Sequence, residues 1–142
     1  MDASLNVKPR LYLCESKSSV EKLVEGSKSM SKNFILLLDY IPELCDRLLP
    51  ALVNAKVRFA EKISRARSLQ METLLFAAGT MNAGNAIRRC GIKNPKRFLT
   101  FSTSQQLFRK FAGKNKVHVV KELKMKIDLD ISGKVALAAL SQ

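Results

Sequence analysis

The chain is short of acids and nearly without histidine. Its 142 residues include no tryptophan, a single histidine, three cysteines and 12 acidic side chains against 25 basic ones. With only His118 to draw on, no Ser-His-Asp or Cys-His set can be assembled, and a position between two valines reads as a strand residue rather than a general base. No catalytic centre is expected. Cys14, Cys45 and Cys90 are far apart, odd in number and outside any CxxC pattern. That excludes a disulfide framework and a zinc site, and fits a reducing cytoplasm. The first residues, MDASLNVKPR, lack the apolar core of a signal peptide, and no apolar run approaches the roughly 20 residues that span a bilayer. The expectation is a cytoplasmic protein with no membrane partner, no metal and no cofactor.

What is present describes a globular chain. Hydrophobic residues make up 46% and charged residues 26% of a length that suits one domain, residues 1–142, able to bury a core unaided. The net charge of +13 and isoelectric point near 10.0 point to a polyanionic partner, most simply a nucleic acid, with a membrane or an acidic protein surface as the alternatives. The excess is uneven. Between Arg47 and Lys126 stand 18 basic residues and only Glu61, Glu72 and Glu122.

Along the chain, Leu11–Cys14 reads as a short strand, and Ser18 with Glu21 has the form of a capping box opening a helix to about Glu25. Phe34–Leu38 is a continuous apolar run of strand length. From Pro42 the period becomes helical, with Leu48, Leu52, Ala55, Phe59 and Ile63 forming one stripe. Pro50 interrupts it, which predicts two helical pieces or a helix beginning at Pro50. Ser68 caps a helix ended by Gly79, and Thr80 or Asn82 caps a short one through Cys90, closed by Gly91. Phe98–Phe101 is a strand, Ser104–Phe111 a helix and Val117–Val120 a strand, with a last helix over Ile131–Leu140. The fold class is α+β, a two-layer sandwich in which a small mixed or antiparallel sheet is covered by helices.

Gly79 and Gly84, in AGTMNAGNAIRRCGI, have the spacing of a phosphate-binding P-loop. That loop needs Lys and then Ser or Thr after the second glycine, where this chain has Asn85 and Ala86, and it needs a strand before the first. Nucleotide hydrolysis is therefore not read here. A helix start followed by Arg88, Arg89, Lys93, Lys96 and Arg97 still makes a seat for phosphate. Together with Lys56, Arg58, Lys62, Arg65 and Arg67, these cations read as a nucleic-acid surface rather than a merely solvated face. Most of the seven Phe fall in apolar patterns, leaving few aromatics to stack on bases. Glu72 stands in the apolar QMETLLF helix as a buried functional carboxylate or an ion-pair partner. Asp128 and Asp130 are too few for a metal site. The apolar VALAAL near the end completes the core or docks on a partner.

The run ALVNAKVRFAEKISRARSLQMETLLFAAGTMNAGNAIRRCGI at Ala51–Ile92 resembles the kinase-binding subunit family of the KEOPS (EKC) complex, also called the PRPK-binding protein family. The similarity lies in Ala51, Ala55, Phe59, Ile63, Leu69, Glu72, Leu74, Leu75, Gly79, Ile87, Gly91 and Ile92 and in the apolar tail, 131–142. The resemblance implies a small α/β sandwich and a non-catalytic role. It further implies binding to the complex's small atypical kinase/ATPase and to tRNA at its 3′ CCA end, in support of threonylcarbamoylation of the adenosine beside the anticodon. Arg58, Lys62, Arg65, Arg88, Arg89 and Lys93 are the implied tRNA contacts, and Val135, Leu137 and Leu140 the implied kinase contacts. The chain departs from many archaeal members at Thr80-Met81-Asn82. The alternative reading is a general basic RNA-binding protein, for which the charge alone suffices.

Overall fold

In the segment RLYLCES, alternate residues serve opposite faces of a sheet, and Leu11 to Cys14 are all apolar because both faces are covered. A computed structural model of the protein describes residues 9–64 and 66–125. This segment forms β1, Arg10–Ser16, the strand between β3, Phe98–Ser102, and β4, Val117–Leu123. β2, Ile35–Asp39, lies beyond β3, giving the order β2-β3-β1-β4 with every pair antiparallel. Leu13 faces Leu99 and Cys14 faces Phe98, while Leu38 also faces Leu99. The register shifts between Leu13 and Cys14 leave Val120 as a bulged residue on β4.

One face carries Leu11, Leu13, Leu36, Leu38, Leu99 and Phe101. They pack under α2, Leu44–Ala60, α3, Leu69–Ala78, and α4, Ala83–Cys90. The other carries Tyr12, Cys14, Ile35, Leu37 and Phe98, covered by Leu23 of α1, Val20–Ser27, and by Phe108 and Phe111 of α5, Gln105–Lys114. The α+β sandwich expected from the sequence is thus observed, with an antiparallel sheet; because helices cover both of its faces, the layers number three and not two.

The helix boundaries follow local chemistry, with three corrections. Ser19, not Ser18, caps α1, accepting a hydrogen bond from the Lys22 N–H at 3.2 Å. Ser18 is drawn away because its hydroxyl donates to the Asn115 carbonyl at 2.9 Å and its N–H to Ser16 Oγ, so the Ser18/Glu21 capping box does not form. Pro50 neither breaks α2 nor starts it. The exposed proline removes one hydrogen bond to the preceding turn, while buried Leu48, Leu49, Ala51 and Leu52 on either side hold the helix to the sheet. Ile63 does not continue the stripe. It lies beyond the helix end and is 52% exposed, after Lys62 adopts a φ of 58°.

Elsewhere the expected caps are present. Ser68 Oγ accepts from Met71 N–H at 3.1 Å, and Gly79, at φ 69°, ends α3 in the left-handed region that suits glycine. Asn82, rather than Thr80, caps α4 through Asn85 N–H at 2.9 Å. A Cβ on Gly91 would meet the Ile87 carbonyl oxygen at 2.6 Å, which is why the helix can close there against Leu38. The helix expected over Ile131–Leu140 and the tail residues Val135, Leu137 and Leu140 lie outside the described residues.

Candidate nucleic-acid interface

α3 is buried along nearly its whole length, so its neighbours on either side carry the charge around its C-terminal half. Arg58, in the last turn of α2, places its guanidinium 5.5 Å from the centre of the Phe76 ring and donates to the Ile63 carbonyl at 3.5 Å. That second contact folds Arg58 over the turn leaving α2. Lys62 occupies the turn itself and is exposed. Arg65 lies outside the described residues. Inside the turn, the buried Glu72 carboxylate accepts the Ala66 N–H at 2.8 Å and pins the α2–α3 connection to α3.

The other flank is α4. Arg88 bridges back to the Asn85 side chain, so this cation is held over the first turns of its own helix. Arg89 reaches the Ala78 carbonyl at 3.3 Å, where it satisfies an end carbonyl of α3 and complements the negative end of that helix. Lys93 sits 3.6 Å from Asp39, at the end of β2. Arg89 and Lys93 share a neighbourhood with Arg47. Burial raises the Cys90 thiol above its ordinary range, and the charges of Arg47, Lys93 and Arg89 pull it back. Burial, with Lys32 nearby, also draws the Lys56 ammonium below its ordinary value.

Along α3 and the turn after it lies a cleft of about 210 Å³ lined by Glu72, Leu75, Phe76, Gly79, Thr80 and Met81. Its walls are apolar, its inner end holds a carboxylate, and Arg58 borders it through Phe76. The structure therefore brings Arg58, Lys62, Arg88 and Arg89 to one helical layer around α3, while Lys93, beside Arg89 and Arg47 near Cys90, pairs with Asp39 at the end of β2.

Two features were missed in the sequence. Arg97 stacks over Tyr40 at 4.2 Å from the ring centre, and Arg47 joins the Cys90 neighbourhood. Tyr40 follows directly on the apolar β2 run, which was the available signal for a half-buried ring at a strand end. The P-loop spacing has no phosphate loop behind it, since Gly79 ends a helix and Gly84 lies inside the next. Among the described residues, no three His, Cys, Asp or Glu side chains are grouped to hold a metal ion, and no helix is long and apolar enough to cross a membrane.

Fold and surface together define an α+β sandwich bearing a cationic, cleft-containing helical face. No family model matches the chain, and no curated protein matches it.

Proposed function

We propose that this protein is a non-catalytic subunit of the KEOPS tRNA-modification complex, binding the complex's small atypical kinase/ATPase and the 3′ CCA end of tRNA. In that role it supports threonylcarbamoylation of the adenosine beside the anticodon. The observation that carries the reading is Arg58 stacked over Phe76, a wall of the cleft, on a helical layer whose α2 end and α4 also bear Lys62, Arg88 and Arg89. Cations on this helical layer suit the phosphates of a single-stranded end, and apolar walls suit a terminal base. The resemblance at Ala51–Ile92 supplies the complex and the kinase.

The test is binding of the purified protein to full-length tRNA and to tRNA trimmed of its 3′ CCA, at low and moderate salt. Trimming is expected to weaken binding, and Arg88→Glu to weaken binding to the full-length form. Equal and steeply salt-dependent binding to both RNAs would replace this reading with that of a general basic RNA-binding protein. For the kinase, deletion of 135–142 is expected to leave a folded protein that no longer binds it. Unfolding on deletion would assign the tail to the core.

A further inference from the structure

No acidic residue occurs from Thr73 to Lys121, and between Thr73 and Lys116 this stretch passes through the sheet once, as β3. Its cations consequently emerge on both sides. Arg88, Arg89 and Lys93 precede β3. Arg109, Lys110, Lys114 and Lys116 follow it, on α5 and the turn that leaves it, against the opposite face of the sheet.

α5 commits Phe108 and Phe111 to the core, so its charged residues have only the outside to occupy. All four cations are exposed, and none forms an ion pair among the described residues. The next acid along the chain, Glu122, faces Arg10 at 3.5 Å. Between Lys110 and Lys114 lies Gly113. An added Cβ there would meet nothing within 4 Å, and the backbone is not left-handed. Neither packing nor conformation asks for a glycine at a helical position that alanine would stabilise. What it does provide is bare backbone between two ammonium groups, open to close approach by an anion.

We infer that the outer face of α5, with Arg109, Lys110, Gly113, Lys114 and Lys116, is a second RNA-binding surface that grips the sugar–phosphate backbone away from the 3′ end. This rests on the reading above that the partner is a tRNA. The face exposes no large hydrophobic residue, whereas a membrane-surface helix needs apolar side chains beside its cations. It also exposes no aromatic ring, so it reads phosphate and not sequence.

The experiment titrates the full chain, as wild type, Lys110→Ala/Lys114→Ala, Gly113→Ala and Arg88→Ala, with a full-length tRNA transcript and its CCA-trimmed form across a salt series. Circular dichroism and melting confirm folding, and Lys110→Gln/Lys114→Gln serves if the alanine pair is unstable. The lysine pair is expected to weaken both RNAs by the same factor and to flatten the log affinity against log salt plot by about 1.4–1.8, two contacts at about 0.7–0.9 each. Gly113→Ala is expected to melt higher and bind RNA less tightly. Unchanged affinity and slope in the lysine pair would overturn the inference. So would unchanged tRNA affinity combined with lost binding to phosphatidylserine vesicles or to polyglutamate. If the wild type binds neither RNA, the tRNA reading itself falls. If only Arg88→Ala weakens binding, that reading stands and the second surface alone is refuted.

Discussion

Glu72 offers the sharpest test of how the basic face is held. Its side chain is 1% exposed, and its carboxylate takes the Ala66 N–H at 2.8 Å from the connection that carries Lys62. Glu72→Ala removes a hydrogen bond to a charged group, a contribution of about 1.5–3 kcal/mol. It also removes a negative charge from the first turn of α3, where the helix dipole favours one by about 0.3–1 kcal/mol. The expected destabilisation is about 2–4 kcal/mol. With a urea dependence of about 2 kcal/mol per molar, the unfolding midpoint should fall by about 1–2 M. Glu72→Gln keeps an oxygen for Ala66 and should recover about half of the loss, because the neutral bond is the weaker one. Urea unfolding followed by circular dichroism reads both variants. A Glu72→Ala protein with the wild-type midpoint and slope would refute the claim that this carboxylate anchors the turn.

Two further outcomes follow from buried groups. Burial pushes the Cys14 thiol from its ordinary 9.0 up to about 11, with the neighbouring Thr100 side chain opposing the shift. The unfolded chain therefore releases this proton first as pH rises, so the stabilisation is complete below pH 9 and is lost on the way to pH 11. It amounts to about 3 kcal/mol, and Cys14→Ala should show a shallower fall in urea midpoint between about pH 8 and about pH 10.5. An equal fall in both proteins would sink the assignment. Pro50→Ala restores an N–H to the interior of α2 and should stabilise by about 1–3 kcal/mol, raising the melting temperature by about 2–4 °C for each kcal/mol. An unchanged or lower melting temperature would refute the claim that Pro50 costs α2 stability.

Where structure is set locally, the sequence disclosed it. Ser68, Asn82 and Ser104 announce helix starts because a short oxygen-bearing side chain satisfies an orphan N–H in any context. Gly79 announces an end because its φ of 69° suits glycine. The failures involve distant partners. Ser18 looks like a cap until the Asn115 carbonyl competes for its hydroxyl, and no local pattern contains that carbonyl. Pro50 looks like a break until burial on both sides of it outweighs the missing bond. The same division holds for the interface. The cations of α2 and α4 were visible as a cluster of charge, but the Arg58 contact with Phe76 and the reach of Arg89 to Ala78 depend on how three helices pack.

The strand order has a consequence for how the chain acquires its shape. Among the described residues, no two sheet neighbours are joined by a short hairpin. β1 must wait for β3 and β4, and Cys14 meets Phe98 only after α1 to α4 have been traversed. Loop closure over such separations is slow, which places folding toward the millisecond-to-second end of the range for small domains. Until those partners arrive, the run LYLC stands as an apolar strand with both edges unpaired. The period of greatest exposure to misassembly therefore lies early in folding, when helices have formed and the centre of the sheet has not.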